Sequence, residues 1–377
     1  MEKLKSLLKD LLNLNGVSGN EESVSEYIIN KLKSIKNVTF STDNLGNIIV
    51  LKKGTNNNNN NNNSQNSKPL KVLFDAHMDE VGVIVTGADS EGFLTFSTIG
   101  GISPESLCCT KINLNGVLGV IGTRPFHLLS DEEKNADLKK QEFFIDIGAL
   151  NKEEAESAVP IGTVGTFIPN FDYFGINSLK QNEETKAGIK DNTKKDNNEN
   201  EDMFISKAID DRAGAAVLLR LLEDDSLYDF YVSFSVQEEI GSLAAGAVSY
   251  SVNPDIAFII ESTTAADILG NEGSNKVCVV GKGPAISFMD HSSLYSKELY
   301  NLAFKQNVPC QPKSFVSGGN NSSSFGMYNP AKLLAISLPT RYLHSKNAAA
   351  SFNDLKNLYF LTKKMLYAVN EENLKNQ

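Results

Sequence analysis

LFDAHMDEVGVIV, residues 73–85, is the stretch around which the chain is organised, because an apolar run ends there in His77, Asp79 and Glu80. The apolar residues predict a buried β-strand, and alternation along a strand places His77 and Asp79 on the same side. A carboxylate in that position can accept the second ring N–H of the histidine, which fixes its tautomer and makes it a better metal ligand. A lone histidine at a strand end is more often a structural residue, so the rest of the sequence must decide.

Composition narrows the class of protein. The chain has 377 residues, 41% of them hydrophobic, which is enough for one large domain or two ordinary ones. Its net charge of -10 argues against a nucleic-acid partner, since phosphate binding needs a basic surface. No stretch approaches the roughly 18 apolar residues of a membrane span. Charges interrupt the apolar runs of residues 1–16, which favours an amphipathic helix over a secretion signal. We therefore expect a soluble cytoplasmic protein that binds neither nucleic acid nor membrane.

The order of the predicted elements divides the chain into three parts. Residues 1–86 and 203–377 alternate helices and strands, and that rhythm predicts an α/β domain around a mostly parallel, two-sided sheet. Residues 87–176 contain short β-runs separated by turn residues, which predicts an inserted small β-barrel. Residues 177–202 are charged and poor in large apolar groups, as expected of a low-complexity linker. Eight successive asparagines, residues 56–63, lie between two predicted strands and predict a disordered hairpin loop.

Polar clusters interrupt the apolar pattern at four further places. They are Asp210-Asp211-Arg212 before a helix predicted over 213–222, Glu238-Glu239 after a strand predicted over 230–235, Glu261 after a strand over 255–260, and His344 after a strand over 331–336. Taken singly, an aspartate at a helix start is most simply a cap and a glutamate pair a solvated loop. Two adjacent carboxylates repel each other unless a cation compensates them, however. Open α/β sheets also bind ligands at the carboxyl ends of their strands.

Together these clusters supply two histidines and three or four carboxylates at one edge of the predicted sheet. Imidazole and carboxylate ligands suit zinc, cobalt or manganese better than calcium. Two such ions about 3.5–4 Å apart can share a water and lower its pKa, and a free carboxylate nearby can take the proton as general base. The sequence therefore predicts two divalent metal ions in the chain, with zinc as the first expectation and cobalt or manganese as alternatives.

These motifs resemble the tetrahedral aminopeptidases, the di-metal glutamyl- and leucyl-aminopeptidase family that has also been labelled endoglucanase-like. The resemblance extends over nearly the whole chain, with six segments in the family's order. They are GVSGNEE (16–22), DAHMDEVG (75–82), KAIDDRAG (207–214), SVQEEIG (235–241), GKGPAISFMD (281–290) and SLPTRYLHS (337–345). The resemblance implies a zinc-peptidase-like catalytic domain, an inserted PDZ-like barrel at subunit contacts, and twelve subunits in a hollow tetrahedron.

The resemblance also implies which residues hold the metal ions. His77 binds one ion, and Asp210 bridges the two. Glu239 is a ligand beside the catalytic glutamate. Glu261 is a ligand of one ion and His344 of the other.

For catalysis, the resemblance implies that Glu238 is the general base and that Asp79 orients His77. Peptide substrates would lose their N-terminal residue: one ion would anchor the free α-amine, and the pair would polarise the scissile carbonyl. Asp211 and Arg212 have no ligand role in this scheme and are expected to belong to a supporting network.

Two departures from the family pattern bear on the site. Many relatives carry aspartate where Glu261 stands, but glutamate offers the same oxygens on a longer arm, so we expect metal binding to survive. The glycine-rich segment 317–322 resembles a loop near the substrate that usually carries aspartate at the position of Asn321, which bears on side-chain preference. His127 and His291 lie outside the motif set, and we expect neither to be a ligand. Ser18 or Asn20 is expected to cap the second helix.

Three other functions can be weighed against the same residues. The same metal site could serve an amidohydrolase or deacylase that acts on small amides. A glycosidase fits less well, because its two carboxylates must be free and about 5–10 Å apart. A non-catalytic, metal-stabilised scaffold would need only ligands, and Glu238 argues against it.

Overall fold

The computed structural model describes residues 1–55, 70–131, 143–174 and 203–375. The asparagine run at 56–63 and the predicted linker at 177–202 both lie outside these ranges. The helices of the described residues are α1 (Glu2–Leu12), α2 (Glu22–Leu32), α3 (Pro104–Leu107), α4 (Lys152–Ala158), α5 (Ile209–Glu223), α6 (Ala245–Val252), α7 (Lys297–Phe304), α8 (Ser322–Tyr328) and α9 (Phe352–Lys375). None of the helices in these ranges combines the length and apolar character needed to cross a bilayer.

The strands of the same residues belong to one large sheet, one small sheet and a barrel. They are β1 (Val38–Thr42), β2 (Ile48–Lys52), β3 (Val72–His77), β4 (Gly82–Ala88), β5 (Leu94–Ile99), β6 (Lys111–Leu114), β7 (Val117–Thr123), β8 (Phe143–Asp146), β9 (Val164–Phe167), β10 (Asp172–Tyr173), β11 (Met203–Ser206), β12 (Phe230–Ser235), β13 (Ile256–Thr264), β14 (Ala285–Ile286), β15 (Gln311–Pro312), β16 (Lys332–Thr340) and β17 (Ala348–Ser351).

The main sheet has the strand order β1-β2-β12-β3-β13-β16-β14-β15. Its four central strands, β12, β3, β13 and β16, run parallel. The outer strands do not all follow this direction: β2 is antiparallel to β1 and β12, and β14 is antiparallel to β16. The sheet is therefore mixed, and the expectation of a mostly parallel sheet holds for its centre. Strand β3 has a parallel partner on each side, and all six of its residues are buried.

The predicted hairpin between the strands that flank the asparagine run is wrong. Strand β12 lies between β2 and β3, pairing Val232 with Val50 on one side and with Phe74 on the other. The residues between β2 and β3 thus connect strands that are not neighbours. Local sequence favours pairing between consecutive strands, and it cannot show that a strand from much later in the chain fits between them.

Helices pack on the main sheet in two groups. Helix α5 packs against β3 and β13, with α1 and α9 packed on α5. Helix α6 packs against β12, α8 against β16, and these two helices contact each other. A Cβ atom at Gly246 of α6 would lie 2.4 Å from the ring of Tyr328 in α8, so a larger residue there would force this exposed ring to move.

The predicted β-barrel is present. Six strands close it in the order β4-β5-β8-β7-β6-β9, around a separate apolar core that includes Val83, Leu94 and Ile145. Strand β4 belongs to the barrel, so the boundary predicted between residues 86 and 87 falls inside a barrel strand. The short strand β10 instead pairs with β11, which pairs with β17. The three-part division itself stays a prediction.

Residues 73–85 connect the main sheet to the barrel. The chain passes from β3, at the centre of the main sheet, to β4 of the barrel through residues 78–81 only. The polar residues of the motif therefore lie where the sheet and the barrel meet.

Candidate metal centre

Strand register brings most of the polar clusters to one end of the sheet. Ser235 of β12 pairs with His77, so Glu238 and Glu239 follow just beyond the ends of both strands. Strand β13 is longer than the predicted 255–260, because it pairs with β16 along nine residues. Glu261 consequently lies inside β13, opposite Ser337, rather than after the strand.

Asp210 lies between the two histidines. It belongs to the first turn of α5, where Asp210 and Asp211 depart from helical φ and ψ. Its Oδ1 lies 3.2 Å from His77 Nε2 and its Oδ2 lies 3.4 Å from His344 Nε2. His344 Nε2 also lies 3.3 Å from Glu239 Oε1. A single carboxylate therefore spans two imidazoles, which is the arrangement expected of a bridging ligand.

Possible ligand atoms of His77, Asp210 and Glu239 all lie within 4.8 Å of one another. Within the part of the chain that the structure describes, no other group of three such side chains is this close. His127 and His291 are exposed and lie outside the group.

The hydrogen bonds of the two rings direct one nitrogen of each toward the site. His77 Nδ1 lies 3.1 Å from the Asp79 carbonyl oxygen, and His344 Nδ1 lies 2.9 Å from the Gly101 carbonyl oxygen. A carbonyl can only accept, so both Nδ1 atoms carry hydrogen. This leaves the Nε2 atom of each ring to bind a cation. Metal-binding histidines commonly donate their other N–H to a backbone carbonyl in the same way.

Burial perturbs the carboxyl groups of the site. It raises the pKa of Glu238 to about 7 and that of Glu239 to about 8. It also raises the pKa of Glu261 well above its usual value. Burial acts the same way on Asp210, but hydrogen bonds to His344 and His77 outweigh it and lower its pKa. The raised pKa values mean that burial favours the neutral forms of these carboxyl groups, so ionising all of them together requires added positive charge.

The residues fit a divalent cation. Oε1 of Glu239 is buried and accepts no hydrogen bond from the described residues, although buried polar atoms are nearly always paired. The available donors are two imidazole nitrogens and several carboxylate oxygens, a set that suits zinc, cobalt or manganese. These residues could therefore hold metal.

Asp79 supports the site through hydrogen bonds with neighbouring segments. It accepts hydrogen bonds from Ser18 Oγ at 2.6 Å and from the backbone N–H groups of Glu238 and Glu239, both at 3.0 Å. The expectation that Ser18 or Asn20 caps α2 is wrong, since Glu21 is the N-cap residue and makes no side-chain cap. The Ser18 hydroxyl is instead directed to the buried carboxylate, which is the stronger acceptor.

Glu261 lies at the side of this group. Its Oε1 accepts hydrogen bonds from Asn320 Nδ2 at 3.0 Å and from Ser337 Oγ at 3.3 Å. Asn321, the departure expected near the substrate, is buried and donates to Asp75 at 2.8 Å. Asn320, and not Asn321, is among the residues that line the cavity over the site. The glycine-rich loop thus lines the cavity with residues 317–320, whereas Asn321 itself contacts the interior of the sheet.

The expected supporting network around Arg212 is present, but its other members were not identified from sequence. Lys207 Nζ lies 2.7 and 2.9 Å from the two carboxylate oxygens of Glu80, and Arg212 Nη2 lies 3.4 Å from one of them. Lys207 precedes the Asp210 segment and Glu80 follows Asp79, so this cluster joins two parts of the site. Each of the three side chains is at most 2% exposed.

Asp211 has a separate, local role. It accepts a hydrogen bond from the N–H of Gly214 at 2.9 Å. A Cβ atom at Gly214 would lie 2.4 Å from the Asp211 carboxylate and 2.7 Å from the carbonyl of Ile260, so only glycine allows α5 to approach β13 here.

A cavity of about 450 Å³ lies over these groups. The predicted site residues that line it are His77, Asp210, Glu238, Glu239, Glu261 and His344. A small molecule or a peptide end could therefore contact all of them at once.

Comparison with known proteins agrees with this geometry. A family model described as M42 glutamyl aminopeptidase matches residues 46–183 and 192–361. A putative aminopeptidase of Acetivibrio thermocellus is 33% identical, covering 94% of this chain and 96% of the relative.

Two solved structures extend the comparison to the fold. A TET aminopeptidase from a marine-sediment Thaumarchaeota archaeon is 27% identical with a TM-score of 0.81, covering 97% of this chain and 96% of the other. The TET1 peptidase of Pyrococcus horikoshii, which can assemble into a tetrahedron or a large octahedral shell, is 28% identical with a TM-score of 0.74; the match covers 96% and 98% of the two chains. The chain thus belongs to the M42 glutamyl aminopeptidase family and is an aminopeptidase, a hydrolase that acts on peptides.

Proposed function

We propose that this aminopeptidase depends on two divalent metal ions and uses Glu238 as its general base. The observation that carries the proposal is the position of Asp210, whose two oxygens face His77 Nε2 and His344 Nε2 at 3.2 and 3.4 Å. His77 and Glu261 would serve one ion, His344 and Glu239 the other, and Asp210 both. When bound, the ions would lower the pKa of a shared water and polarise the scissile carbonyl.

Glu238 is suited to proton transfer near neutral pH. Burial raises its pKa to about 7, and Ser242 Oγ donates a hydrogen bond to its Oε1 at 3.1 Å. The carboxylate can take a proton from the attacking water and return it to the leaving amine. The Oε1 of its neighbour Glu239 accepts no hydrogen bond from the described residues and lies 3.3 Å from His344 Nε2, so we assign the two adjacent glutamates different roles.

The substitution Glu238→Gln tests this mechanism. The amide keeps the size of the side chain but cannot accept the proton, so turnover of aminoacyl chromogenic substrates should fall at least a hundredfold. Metal content, measured after gel filtration, should not change. Glu298→Gln, an exposed residue on α7, is the matched control. Full turnover by the Glu238→Gln enzyme would refute the proposed base.

The substrate and the metal requirement are tested with the wild-type enzyme. A chelator should abolish turnover, and added zinc, cobalt or manganese should restore it. A peptide with a free N-terminus should be cleaved, whereas its N-acetylated form should not. The reverse preference would indicate a deacylase.

We also propose that the chain forms a homo-oligomer, a dodecamer by resemblance, in which the PDZ-like barrel contributes to subunit contacts. The assembly of the Pyrococcus horikoshii TET1 peptidase supports it. So do the large apolar side chains that are exposed on α6 and α8: Tyr250 is 79% exposed, Met327 75% and Tyr328 59%. Adjacent exposed apolar groups of this size are typical of protein interfaces.

A further inference from the structure

We propose that Asn320 is a positioning residue that fixes the Glu261 carboxylate and so controls the affinity of one of the two metal ions. Tyr295 and Asp290 hold the Asn320 amide in place for this task. The inference rests on the proposed function, because it concerns one ion of the proposed pair.

The hydrogen bonds of Glu261 treat its two oxygens differently. Glu261 is 7% exposed, and Oε1 accepts from Asn320 Nδ2 at 3.0 Å and from Ser337 Oγ at 3.3 Å. None of the described residues donates to Oε2, although Glu261 lines the cavity. One oxygen is thus held by the protein, and the other is left for a cation. Fixing a flexible glutamate side chain costs conformational entropy, which these two bonds help to offset.

Asn320 is itself fixed, and in one orientation only. It is 3% exposed, and its Oδ1 accepts a hydrogen bond from the N–H of Ser322 at 2.8 Å. Since Oδ1 is occupied by a donor, the NH2 group must face the other side. There Nδ2 lies 2.9 Å from Tyr295 Oη and 3.3 Å from Asp290 Oδ2. The Asn320 amide can therefore only donate to Glu261.

The residues behind Asn320 carry none of the proposed ligands. Tyr295 and Asp290 lie between β14 and α7, and they are 6% and 1% exposed. The Tyr295 hydroxyl donates to Asp290 Oδ2 and accepts from Asn320 Nδ2. If this cluster only held the loop before α8, it could end on the loop itself. It continues instead to a carboxylate of the cavity, in β13.

The same loop also contacts the strand next to β13. Asn321 Nδ2 donates to Asp75 Oδ2 at 2.8 Å, and Asp75 of β3 pairs with Ile259 of β13. Two residues beyond this pair are His77 on β3 and Glu261 on β13, the two ligands proposed for the same ion. Two adjacent amides therefore attach one loop to both strands that supply that ion.

The ligands proposed for the other ion are oriented elsewhere. His344 is oriented by the carbonyl of Gly101, which follows β5 of the barrel. Glu239 follows β12, and its Oε1 accepts no hydrogen bond from the described residues. The loss of the Asn320 amide should consequently weaken one ion and spare the other.

The test measures cobalt binding to the metal-free protein by isothermal titration and by the absorption spectrum of the bound ion. The variant Asn320→Leu keeps the approximate volume and removes the donor. We expect one of two binding steps to weaken about 10- to 100-fold, the usual effect of losing a partner that orients a metal ligand. The other step should not change. The weakened step should be the one that Glu261→Gln also weakens, and its absorption band should shift.

Two further variants separate positioning from a structural role. Tyr295→Phe leaves the Asn320 amide in place but removes one of its supports, so it should weaken the same step to a smaller extent. Asn329→Leu is the matched control, since Asn329 is a buried asparagine at the other end of α8 whose amide donates to Asn253. It should lower the melting temperature and leave both cobalt affinities unchanged.

The outcomes separate this inference from the proposed function. A wild type that binds no divalent ion would overturn both. A wild type that binds two ions, with unchanged cobalt affinities in Asn320→Leu, would overturn only the role of Asn320. Equal weakening of both steps would overturn its assignment to one ion. If Asn320→Leu fails to fold, Tyr295→Phe decides, and unchanged affinities in that variant refute the inference.

Discussion

Asp79 connects three separate segments that form the site. It contacts His77 in its own segment, Ser18 before α2, and the backbone of Glu238 and Glu239 after β12. Burial alone would raise its pKa, but contact with His77 and the hydrogen bond from Ser18 lower it overall. The ionised carboxylate therefore holds the imidazole of His77, a proposed metal ligand, and the glutamate pair in a common geometry.

We expect Asp79→Asn to weaken metal binding about 10- to 100-fold, the usual effect of losing a partner that orients a metal ligand. The amide group of asparagine would place N–H donors against the backbone N–H of Glu238 or Glu239. Competition with a chromogenic chelator measures the affinity. Ser18→Ala removes only one of the hydrogen bonds and should cost less. Unchanged affinity in Asp79→Asn would show that the orientation of His77 does not depend on this carboxylate.

At the scale of elements, the buried cluster of Glu80, Lys207 and Arg212 joins the start of α5 to the segment between β3 and β4. Lys207 also donates to the Leu14 carbonyl at 2.9 Å, and Arg212 to the Leu11 carbonyl at 3.3 Å. The end of α1 is thereby attached to the same cluster. Because α5 carries Asp210, this packing positions the carboxylate that we propose as the bridging ligand.

We expect Lys207→Met to lower the free energy of unfolding by about 3 kcal/mol, because it removes one partner of a buried ion pair. Methionine keeps most of the volume but leaves Glu80 with weaker compensation from Arg212. Denaturant unfolding of the metal-free protein measures the change. The control is Lys332→Met, which breaks the exposed pair with Glu298 and should cost less than about 1 kcal/mol. Equal losses in the two variants would contradict a stabilising role for the cluster.

At the scale of the whole molecule, the barrel is part of the site. Gly101, which follows β5 of the barrel, supplies the carbonyl that orients His344. His344 itself follows β16 of the main sheet. The proposed metal centre therefore depends on the position of the barrel relative to the sheet.

Assembly is tested at this scale. We expect mass photometry to show a particle close to twelve times the 41.1 kDa subunit mass. Met327→Glu should shift the population toward smaller species, because it places a charge among the apolar groups of α6 and α8. The melting temperature of the dissociated variant reports whether the subunit is still folded. A wild-type mass of one subunit would contradict the proposed oligomer.

The sequence by itself determined the elements and the chemistry that depend on neighbouring residues. Apolar runs were sufficient to predict β3, β12 and the barrel strands, because the hydrophobic pattern of a few successive residues indicates which side chains of a strand are buried. The residue types of the site were also evident, because imidazole and carboxylate groups have definite metal preferences wherever they lie. Six segments in a known order added the family and the role expected of each residue.

The tertiary structure alone decided which groups meet. Ser18 and Asp79 are 61 positions apart, and Lys207 and Glu80 are 127 apart. Strand β12 separates β2 from β3, Asn321 contacts Asp75 inside the sheet, and Asn320 donates to Glu261 in β13. Each of these contacts results from sheet register and helix packing between distant segments, which local propensity cannot express. The physical reason is that a buried polar group can form its hydrogen bonds with any group that the fold brings close to it. The separation of the two residues along the chain does not matter.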